Sequence, residues 1–399
     1  MTEFTIASFN VKNLIGANSE YYRFEEYTEE EHAWKESWLA DQLVTMDTDI
    51  VCFQEIFDKA SLNAVIDAAN ESGEALNAEV IPDRSKRYHR KAIFRKLSYT
   101  PYTKDSLFFA PNINDGEPGH RRPGLAILSR HGFEGTPEII QQLSEPLVIE
   151  FPELGGGHAG SFTLTKLSRP IIKARIRVGN EVITVFNTHF KSKLGEYLTP
   201  KGAAFSPEAD LTKYDPTGRA LGSLRASMRR TAEALILRRL IVEELKAGHP
   251  VMSLGDFNDS EHAVSSEIVM GEKPFKNYSW MRRHDAKAKN DRYSREENEQ
   301  ITGDIEAMQL VSAEKLFVRK SLRDMVYTSA FGGVYESIDQ ILMSRHFHPE
   351  NKNAIGAMEY FSVLNDHLTD GSHPEAPYNK LASDHGQIIA HMRLFDEGR

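Results

Sequence analysis

The stretch Val251-Met252-Ser253-Leu254-Gly255-Asp256-Phe257-Asn258 decides how the chain folds. Its first four residues form a short apolar run suited to a buried strand, and Gly248 and Pro250 stop the long helical pattern, about Leu224 to Lys246, that precedes it. A helix that delivers the chain into a buried strand points to an α/β fold. Asp256 and Asn258 follow at the strand end, and their i, i+2 spacing puts two oxygen-bearing side chains on one side of an extended segment. Taken alone, the pair reads as an Asx turn after Gly255.

The same alternation of elements runs outward in both directions. Phe4-Thr5-Ile6-Ala7-Ser8-Phe9 alternates like a strand, Trp34, Trp38, Leu39, Leu43 and Met46 recur at helical spacing, and Asp49-Ile50-Val51-Cys52-Phe53 is a buried strand. A second helix is expected over about 58–72. Further strands are expected at Gly124–Ser129, Ile171–Val178 and Val182–Asn187, the last two joined by a Gly179-Asn180 turn, and later at Ile338–Leu342 and Gln387–His391. Polar stretches at about 82–122, 195–222, 270–325 and 348–380 read as loops or small insertions, without repeats or low complexity. Glu20, Glu25, Glu26, Glu29, Glu30, Glu31 and Glu36 read as a solvated acidic face before the first helix.

Composition narrows the class. The 399 residues carry 48 Lys+Arg against 58 Asp+Glu, a net charge of −10, which argues against a polybasic nucleic-acid binder but leaves room for a local basic groove. The single cysteine, Cys52, excludes an intramolecular disulfide framework and cysteine-cluster zinc sites, and points to a reducing compartment. No window approaches the ~18 apolar residues of a membrane span, and Met1-Thr2-Glu3-Phe4 does not open a secretory signal, so the default location is cytoplasmic. Length alone allows two or three domains.

Many polar residues stand at strand ends, where α/β folds present their working groups: Asn10, Glu55, His189, Asp256, Asn258, Asp339, Asp384 and His385. Asp339 lies inside an apolar strand and needs a partner, which a histidine would supply. The neighbours Asp384 and His385 can serve one site only if the backbone bends. In Asn187-Thr188-His189-Phe190-Lys191, i, i+2 spacing brings an amide, an imidazole and an ammonium to one side. Carboxylates and amides suit Mg²⁺, Mn²⁺ or Ca²⁺, and hydrolysis of a phosphate ester needs such a cation, an oriented water and stabilisation of the leaving oxygen. P-loop, nucleophile-elbow, HExxH and dinucleotide patterns are absent.

Six segments together resemble the endonuclease/exonuclease/phosphatase superfamily, of deoxyribonuclease-I type. They are Ser8-Phe9-Asn10-Val11, Phe53-Gln54-Glu55, Asn187-Thr188-His189-Phe190, Leu254-Gly255-Asp256-Phe257-Asn258, Ser337-Ile338-Asp339-Gln340-Ile341-Leu342 and Ser383-Asp384-His385, in that family's order. The resemblance implies a four-layer αββα sandwich of two mixed β-sheets, here one domain over residues 1–399 with the polar stretches as insertions. It implies Glu55 as principal metal ligand with Asn10 and Asp384 nearby, and Mg²⁺ as the expected ion. Asp256 would orient or deprotonate the attacking water, Asn258 would hold that water or a phosphate oxygen, and His385, oriented by Asp339, would bind the scissile phosphate. His189 matches a histidine often assigned as acid in deoxyribonuclease-I-like members, where apurinic/apyrimidinic endonucleases have tyrosine. Ser168-Arg169-Pro170 resembles the family's arginine segment, making Arg169, with Asn187 and Lys191, a substrate contact.

The superfamily hydrolyses DNA, RNA, inositol phosphates and sphingomyelin, so the fold does not fix the substrate. Tyr335-Glu336-Ser337-Ile338-Asp339-Gln340-Ile341-Leu342 lacks the Trp-Cys pair and the arginine of inositol-polyphosphate 5-phosphatases. No exposed apolar hairpin of the kind a membrane-acting member would use is evident. His189-Phe190-Lys191-Ser192-Lys193 is similar to bacterial secreted nucleases of the superfamily, although their signal sequence and cysteines are missing. Basic residues Arg84, Lys86, Arg87, Arg90, Lys91, Arg95 and Lys96, interleaved with Tyr88, His89 and Phe94, favour a polyanion, as do Arg225 and Arg229 on one helix face and the region Lys273 to Arg295. His120, His131, His158 and His373 read as surface residues without a role. The expectation is a divalent-metal-dependent nuclease acting on DNA or RNA, with no membrane span and no obligate protein partner. A small-substrate phosphatase, a phospholipid phosphodiesterase and an inactive binding member are the alternatives.

Overall fold

The computed structural model describes residues 2–22, 25–78, 99–151, 160–271, 295–318, 326–370 and 381–396. In chain order the elements begin with β1 (Thr2–Leu14), α1 (Glu29–Met46), β2 (Ile50–Ile56), α2 (Lys59–Ala78), β3 (Leu107–Ala110) and β4 (Gly124–Ser129). The middle of the chain forms β5 (Glu138–Phe151), β6 (Gly160–Val178), β7 (Glu181–His189), α3 (Pro216–Lys246), β8 (Val251–Asp256) and α4 (Val264–Met270). Then follow α5 (Arg295–Ala307), β9 (Leu310–Ser312), α6 (Ala313–Val318), β10 (Ser329–Phe331), β11 (Val334–Glu336), β12 (Asp339–Ser344), β13 (Gly356–Leu364) and β14 (Gln387–Leu394). One six-stranded sheet has the order β13-β14-β1-β2-β4-β3 and the other β5-β6-β7-β8-β12-β9. Both are mixed: β1 and β2 run parallel, as do β7 and β8, and the remaining pairs are antiparallel.

Period-2 alternation builds the layers. Ile6, Ile50, Cys52 and Ile127 from the first sheet meet Ile172, Val185, Leu254 and Ile341 from the second in a core between the sheets. Their sequence neighbours Ala7, Val51, Phe53 and Leu128 point the other way, onto Leu39 and Leu43 of α1 and Leu62 and Val65 of α2. On the far side, Ile171, Phe186, Val251 and Leu342 pack against Ile236, Leu237 and Ile241 of α3 and Val269 of α4. Helix, sheet, sheet and helix therefore form the four layers of the sandwich. Strands buried on both faces read as continuous apolar runs, which is why β2, β4, β7 and β8 stand out in the sequence.

Several boundaries differ from the sequence reading. α3 begins eight residues earlier than Leu224, because Asp215 accepts hydrogen bonds from Thr217 N and Gly218 N at 3.0 and 2.9 Å and Pro216 fixes the first turn. The polar stretches also hold β3, α5, β9, α6 and β13. β5 and the first half of β6 form a long hairpin that periodicity missed, since β5 is an edge strand with few buried positions. The acidic run is more than a solvated face: Glu31 accepts from Thr28 N at 3.1 Å while Thr28 accepts from Glu31 N at 3.2 Å, a capping box that starts α1. An exposed apolar hairpin does exist. β10 and β11 display Phe331 (70% exposed), Val334 and Tyr335 around a Gly332-Gly333 turn whose amides donate to Asp370. The basic residues Arg84 to Lys96, most of Lys273 to Arg295, His158 and His373 lie outside the described residues. No helix of the described residues is long and apolar enough to cross a membrane.

One half-buried acid carries a stability consequence. Burial, with Glu261 nearby, pushes the Glu314 carboxyl on α6 up to about 7. Its folded value lies above its unfolded one, so its contribution is full below the unfolded value near 4.5 and is lost as pH rises through about 7. Thermal melts of wild type and Glu314→Gln at pH 5 and pH 8 should show wild type losing stability relative to the variant at the higher pH. Parallel behaviour at both pH values would contradict the shift.

Candidate active site

The inward-facing positions change character along the strands. On β1 they run Ile6, Ser8, Asn10; on β2, Ile50, Cys52, Gln54; on β7, Ile183, Val185, Asn187, His189; on β8, Met252, Leu254, Asp256. On antiparallel β12 the same direction reads Met343, Ile341, Asp339. The space between the sheets is thus hydrocarbon at one end, neutral amide in the middle and ionisable at the other end. His189, Asp256 and Asp339 are cross-strand neighbours in one row, since β7 pairs His189 with Asp256 and β12 pairs Asp339 with Asp256.

Asp256 is the hub. Its Oδ2 lies 3.1 Å from Asn10 Nδ2, 3.3 Å from His189 Nε2, 3.3 Å from Asn258 Nδ2 and 3.8 Å from His385 Nε2. Its Oδ1 accepts from Asn258 N at 2.7 Å, so the Asx turn is present and also belongs to the cluster. Gly255 makes this row possible: at φ +141°, a Cβ there would lie 1.9 Å from Thr188 O on β7. Asp339 Oδ2 is 2.9 Å from His385 Nδ1, the acid–imidazole partnership expected for it. Ser383 Oγ donates to Asn10 O at 2.6 Å and accepts from His385 N at 3.0 Å, making the bend that brings His385 inward while Asp384 stays exposed.

Electrostatics separates the two histidines. Burial pushes His189 well below its usual range and the Arg169 charge adds to this, so His189 is neutral, and its Nδ1 has no hydrogen-bond partner among the described residues. Burial opposes protonation of His385 too, but the charges of Asp339 and Asp256 outweigh it and hold the imidazole well above its usual range. Burial raises Asp256 to about 7, with His385 opposing and Asp339 and Glu55 adding to the rise.

Glu55 enters from the first sheet at a left-handed φ of 66°, and accepts from Asn13 N at 3.0 Å and from Asn10 Nδ2 at 3.5 Å. Its bonded donors are neutral amides, whereas the Asp256–Asp339 pair has the His385 cation. Asp256, Asp339 and His385 also have ligand atoms within 4.8 Å of one another. A half-buried carboxylate with neutral donors, beside a buried Asp256 whose proton affinity burial and its acidic neighbours raise, suits a hard divalent cation. Asn10 turns its Nδ2 toward the carboxylates, and its Oδ1 accepts from Lys12 N at 3.0 Å.

Of the substrate-contact residues expected from sequence, Asn187 does not reach the cleft. It is fully buried, donates to Phe53 O and Ala126 O at 3.0 and 2.9 Å, and accepts from Gln54 Nε2 at 2.8 Å. It shares a side with His189, as i, i+2 spacing required, but lies one layer deeper between the sheets. Arg169 donates to Phe190 O at 3.3 Å, and Lys191 Nζ donates to Leu194 O at 2.9 Å, so both flank the His189 strand end. Arg229 is held by Glu196 through two 2.8 Å bonds, which removes it from a free basic face shared with Arg225.

Sequence reasoning missed Lys35. It is fully buried in α1, donates to Val11 O at 2.9 Å and Leu381 O at 3.0 Å, and ties the segment after Asn10 to the one before Asp384. Burial pushes it down to about 7, with Lys12 adding to the fall and Asp384 and Glu55 opposing it. Its i, i+4 spacing to Leu39 was the available signal.

The sequence model of the Endonuclease/Exonuclease/phosphatase family matches residues 7–385. Curated protein sequences gave no match. Among solved structures, humanized D. rerio TDP2 is 11% identical over 98% of this chain and 100% of that one, with a TM-score of 0.45. The human nocturnin catalytic domain with bound sulfate is 13% identical over 98% and 95%, TM-score 0.45. A Beutenbergia cavernae protein of the same family is 12% identical over 99% and 72%, TM-score 0.45.

Replacing Asn187 by Ala takes one acceptor from the Gln54 amide and one donor from each of two strand carbonyls between the sheets, at a cost of about 2–4 kcal/mol. Denaturant unfolding should register that loss while KM per folded molecule stays at the wild-type value. A raised KM at unchanged stability would return Asn187 to the substrate-binding set.

Proposed function

The chain belongs to the endonuclease/exonuclease/phosphatase family, whose members are generally metal-dependent phosphoesterases, and on that premise we propose that it is a divalent-metal-dependent nuclease, hydrolysing phosphodiester bonds of DNA or RNA by in-line attack of water. The observation that carries this reading is the convergence on Asp256 Oδ2 of Asn10, His189, Asn258 and His385, drawn from two sheets and the loops at their ends. The whole chain then acts as one catalytic domain, since Asn10 and His385 share one cluster.

In this reading Asp256 accepts a proton from the attacking water. Its raised affinity for protons, about 7, suits a base working near neutrality. Neutral His189 donates Nε2–H to Asp256 and orients it, a different task from the acid role the family resemblance suggested. Asn258 holds the water or a phosphate oxygen beside Asp256. His385, kept cationic by Asp339, presents an N–H to a non-bridging phosphate oxygen, where charge builds in the transition state. Arg169 and Lys191 supply positive charge on the same side. Glu55, with Asp384 and Asn10 adjacent, would hold Mg²⁺, Mn²⁺ or Ca²⁺, and a bound cation would screen the phosphate and the leaving oxygen.

A second reading has its own observation. The β10–β11 hairpin exposes Phe331, Val334 and Tyr335 directly before Asp339, and Lys193 Nζ lies 2.6 Å from Glu336 Oε2, tying the hairpin to the loop after His189. An apolar, clamped hairpin beside the cleft would suit a phospholipid phosphodiesterase.

Plasmid DNA, single-stranded DNA, RNA, bis-(p-nitrophenyl) phosphate, p-nitrophenyl phosphate and sphingomyelin vesicles, each with Mg²⁺, Mn²⁺ or EDTA, separate these readings. Metal-dependent cleavage of a nucleic acid is expected; turnover of monoesters alone, or of sphingomyelin alone, would remove the nuclease assignment. Asp256→Asn should lower kcat by about 10³-fold or more while substrate and metal binding persist. Glu55→Gln should raise the metal concentration needed for half-maximal activity, and an unchanged requirement would displace Glu55 as the ligand.

A further inference from the structure

α3 lies on the outer face of the second sheet, and most of the residues it buries are apolar. Two that are not, Arg230 and Glu233, stand one turn apart with 7% and 2% of their surface exposed. Burying a carboxylate against a sheet is costly unless its oxygens are well satisfied. Those of Glu233 are: Oε1 accepts from Ser168 N at 2.8 Å and from Ser168 Oγ, and Oε2 accepts from Lys191 N at 2.8 Å. Arg230 completes the grip. Its Nε donates to Asp259 Oδ2 at 2.7 Å, and its NH1 donates to Lys191 O at 3.2 Å and Ser192 O at 3.4 Å.

The two side chains therefore hold Lys191 by both of its backbone groups, the N–H through Glu233 and the carbonyl through Arg230. The residue beside Ser168 is Arg169, whose guanidinium donates to Phe190 O, and that same carbonyl accepts from Asn258 Nδ2 at 3.1 Å. Three segments that reach the cleft, the stretch of β6 at Ser168–Arg169 and the loops at Phe190–Ser192 and Asn258–Asp259, are thus fastened to one helical turn behind the sheet. An apolar side chain at position 233 would fill the space without desolvating a charge, but it could not fix the height of β6 and the loop after β7 relative to each other. Asp259 is also held from its other side, accepting from Ser265 Oγ at 2.7 Å, so the Arg230 contact has a rigid anchor.

We propose that Glu233 and Arg230 form a bracket that sets the placement of Arg169 and Lys191 for binding a substrate phosphate, so that both are positioning residues without touching the substrate. This rests on the phosphodiester reading of the cleft. Loss of the bracket lets both cations drift, which weakens phosphate binding and leaves the Asp256 cluster and its metal site intact.

Glu233→Gln keeps the volume but turns one acceptor into an N–H donor facing Lys191 N–H. The full-length variant, Arg169→Ala and the double variant are compared for kcat and KM on bis-(p-nitrophenyl) phosphate, for binding of inorganic phosphate by titration calorimetry, and for Mn²⁺ binding. Expected is about a tenfold rise in KM and in phosphate Kd, about 1.4 kcal/mol, with kcat and Mn²⁺ affinity within about twofold of wild type. That rise should shrink in the Arg169→Ala background, where only Lys191 is left for the bracket to position. An equal rise in both backgrounds, or no rise in a folded variant, overturns the proposal. If wild type cleaves no phosphodiester, the reading of the cleft fails, while the phosphate titration still decides the bracket. If Glu233→Gln does not fold, Ser168→Ala removes one donor from the same carboxylate and should give the same pattern at smaller amplitude.

Discussion

The amide contact between Gln54 and Asn187 fixes the relation between the two halves of the molecule. Ser8 Oγ donates to Gln54 Oε1 at 3.2 Å, Gln54 Nε2 donates to Asn187 Oδ1 and to Cys52 O, and Asn187 spends its two remaining hydrogens on carbonyls of the first sheet. Two sheets packed only through hydrocarbon can slide, because apolar contact has no direction. A neutral, hydrogen-bonded layer has one register, and it locks the edge at which Asn10 and Glu55 face His189, Asp256 and Asp339. It also grades the dielectric. Ionisable groups rest on amides and not directly on hydrocarbon, so the acids and imidazoles above it polarise one another across a buried but polar floor.

The cleft is also where the backbone leaves its ordinary conformations. Lys12, Asn13, Glu55 and Asn258 all sit at left-handed φ of 53–66°. Such conformations cost on the order of 1 kcal/mol for each non-glycine residue and persist where surrounding bonds over-determine them. Here Asn13 N is held by Glu55, Lys12 N by Asn10 and Asn258 N by Asp256. The carboxylates and amides that gather at the site therefore stabilise the turns that present them. In β2 the left-handed turn also breaks strict alternation, directing Glu55 into the cleft although Phe53, two residues earlier, faces the helices.

Strands buried on both faces, and the order of six short segments, made the sandwich and most of the cleft legible in the sequence. Edge elements were hidden: β5 and β13 carry charges on their open faces and have no continuous apolar stripe, so they resemble loops. Depth was hidden too, since period-2 spacing tells which side Asn187 faces but not whether that side is open cleft or closed interior. Lys35, Arg230 and Glu233 escaped for a common reason. A buried charge on a helix is written with the same letters as a solvated one, and only the loops packed over it reveal the difference. Conversely, the Asp339–His385 pairing could be inferred, because a lone acid in an apolar strand demands a partner.

β14 lies between β13 and β1, so the strand that follows His385 is the immediate neighbour of the one that leads to Asn10. During synthesis Asn10 and Glu55 emerge long before Asp339 and His385. For most of that time the first sheet has β1 as an unpaired edge, and the acid cluster has neither its imidazolium nor its closing loop. Contacts of such long sequence separation form late and slowly. The topology thus acts as a timer: a growing chain exposes a tempting sheet edge but carries no assembled cleft, and the chemistry switches on only when distant parts of the sequence have paired.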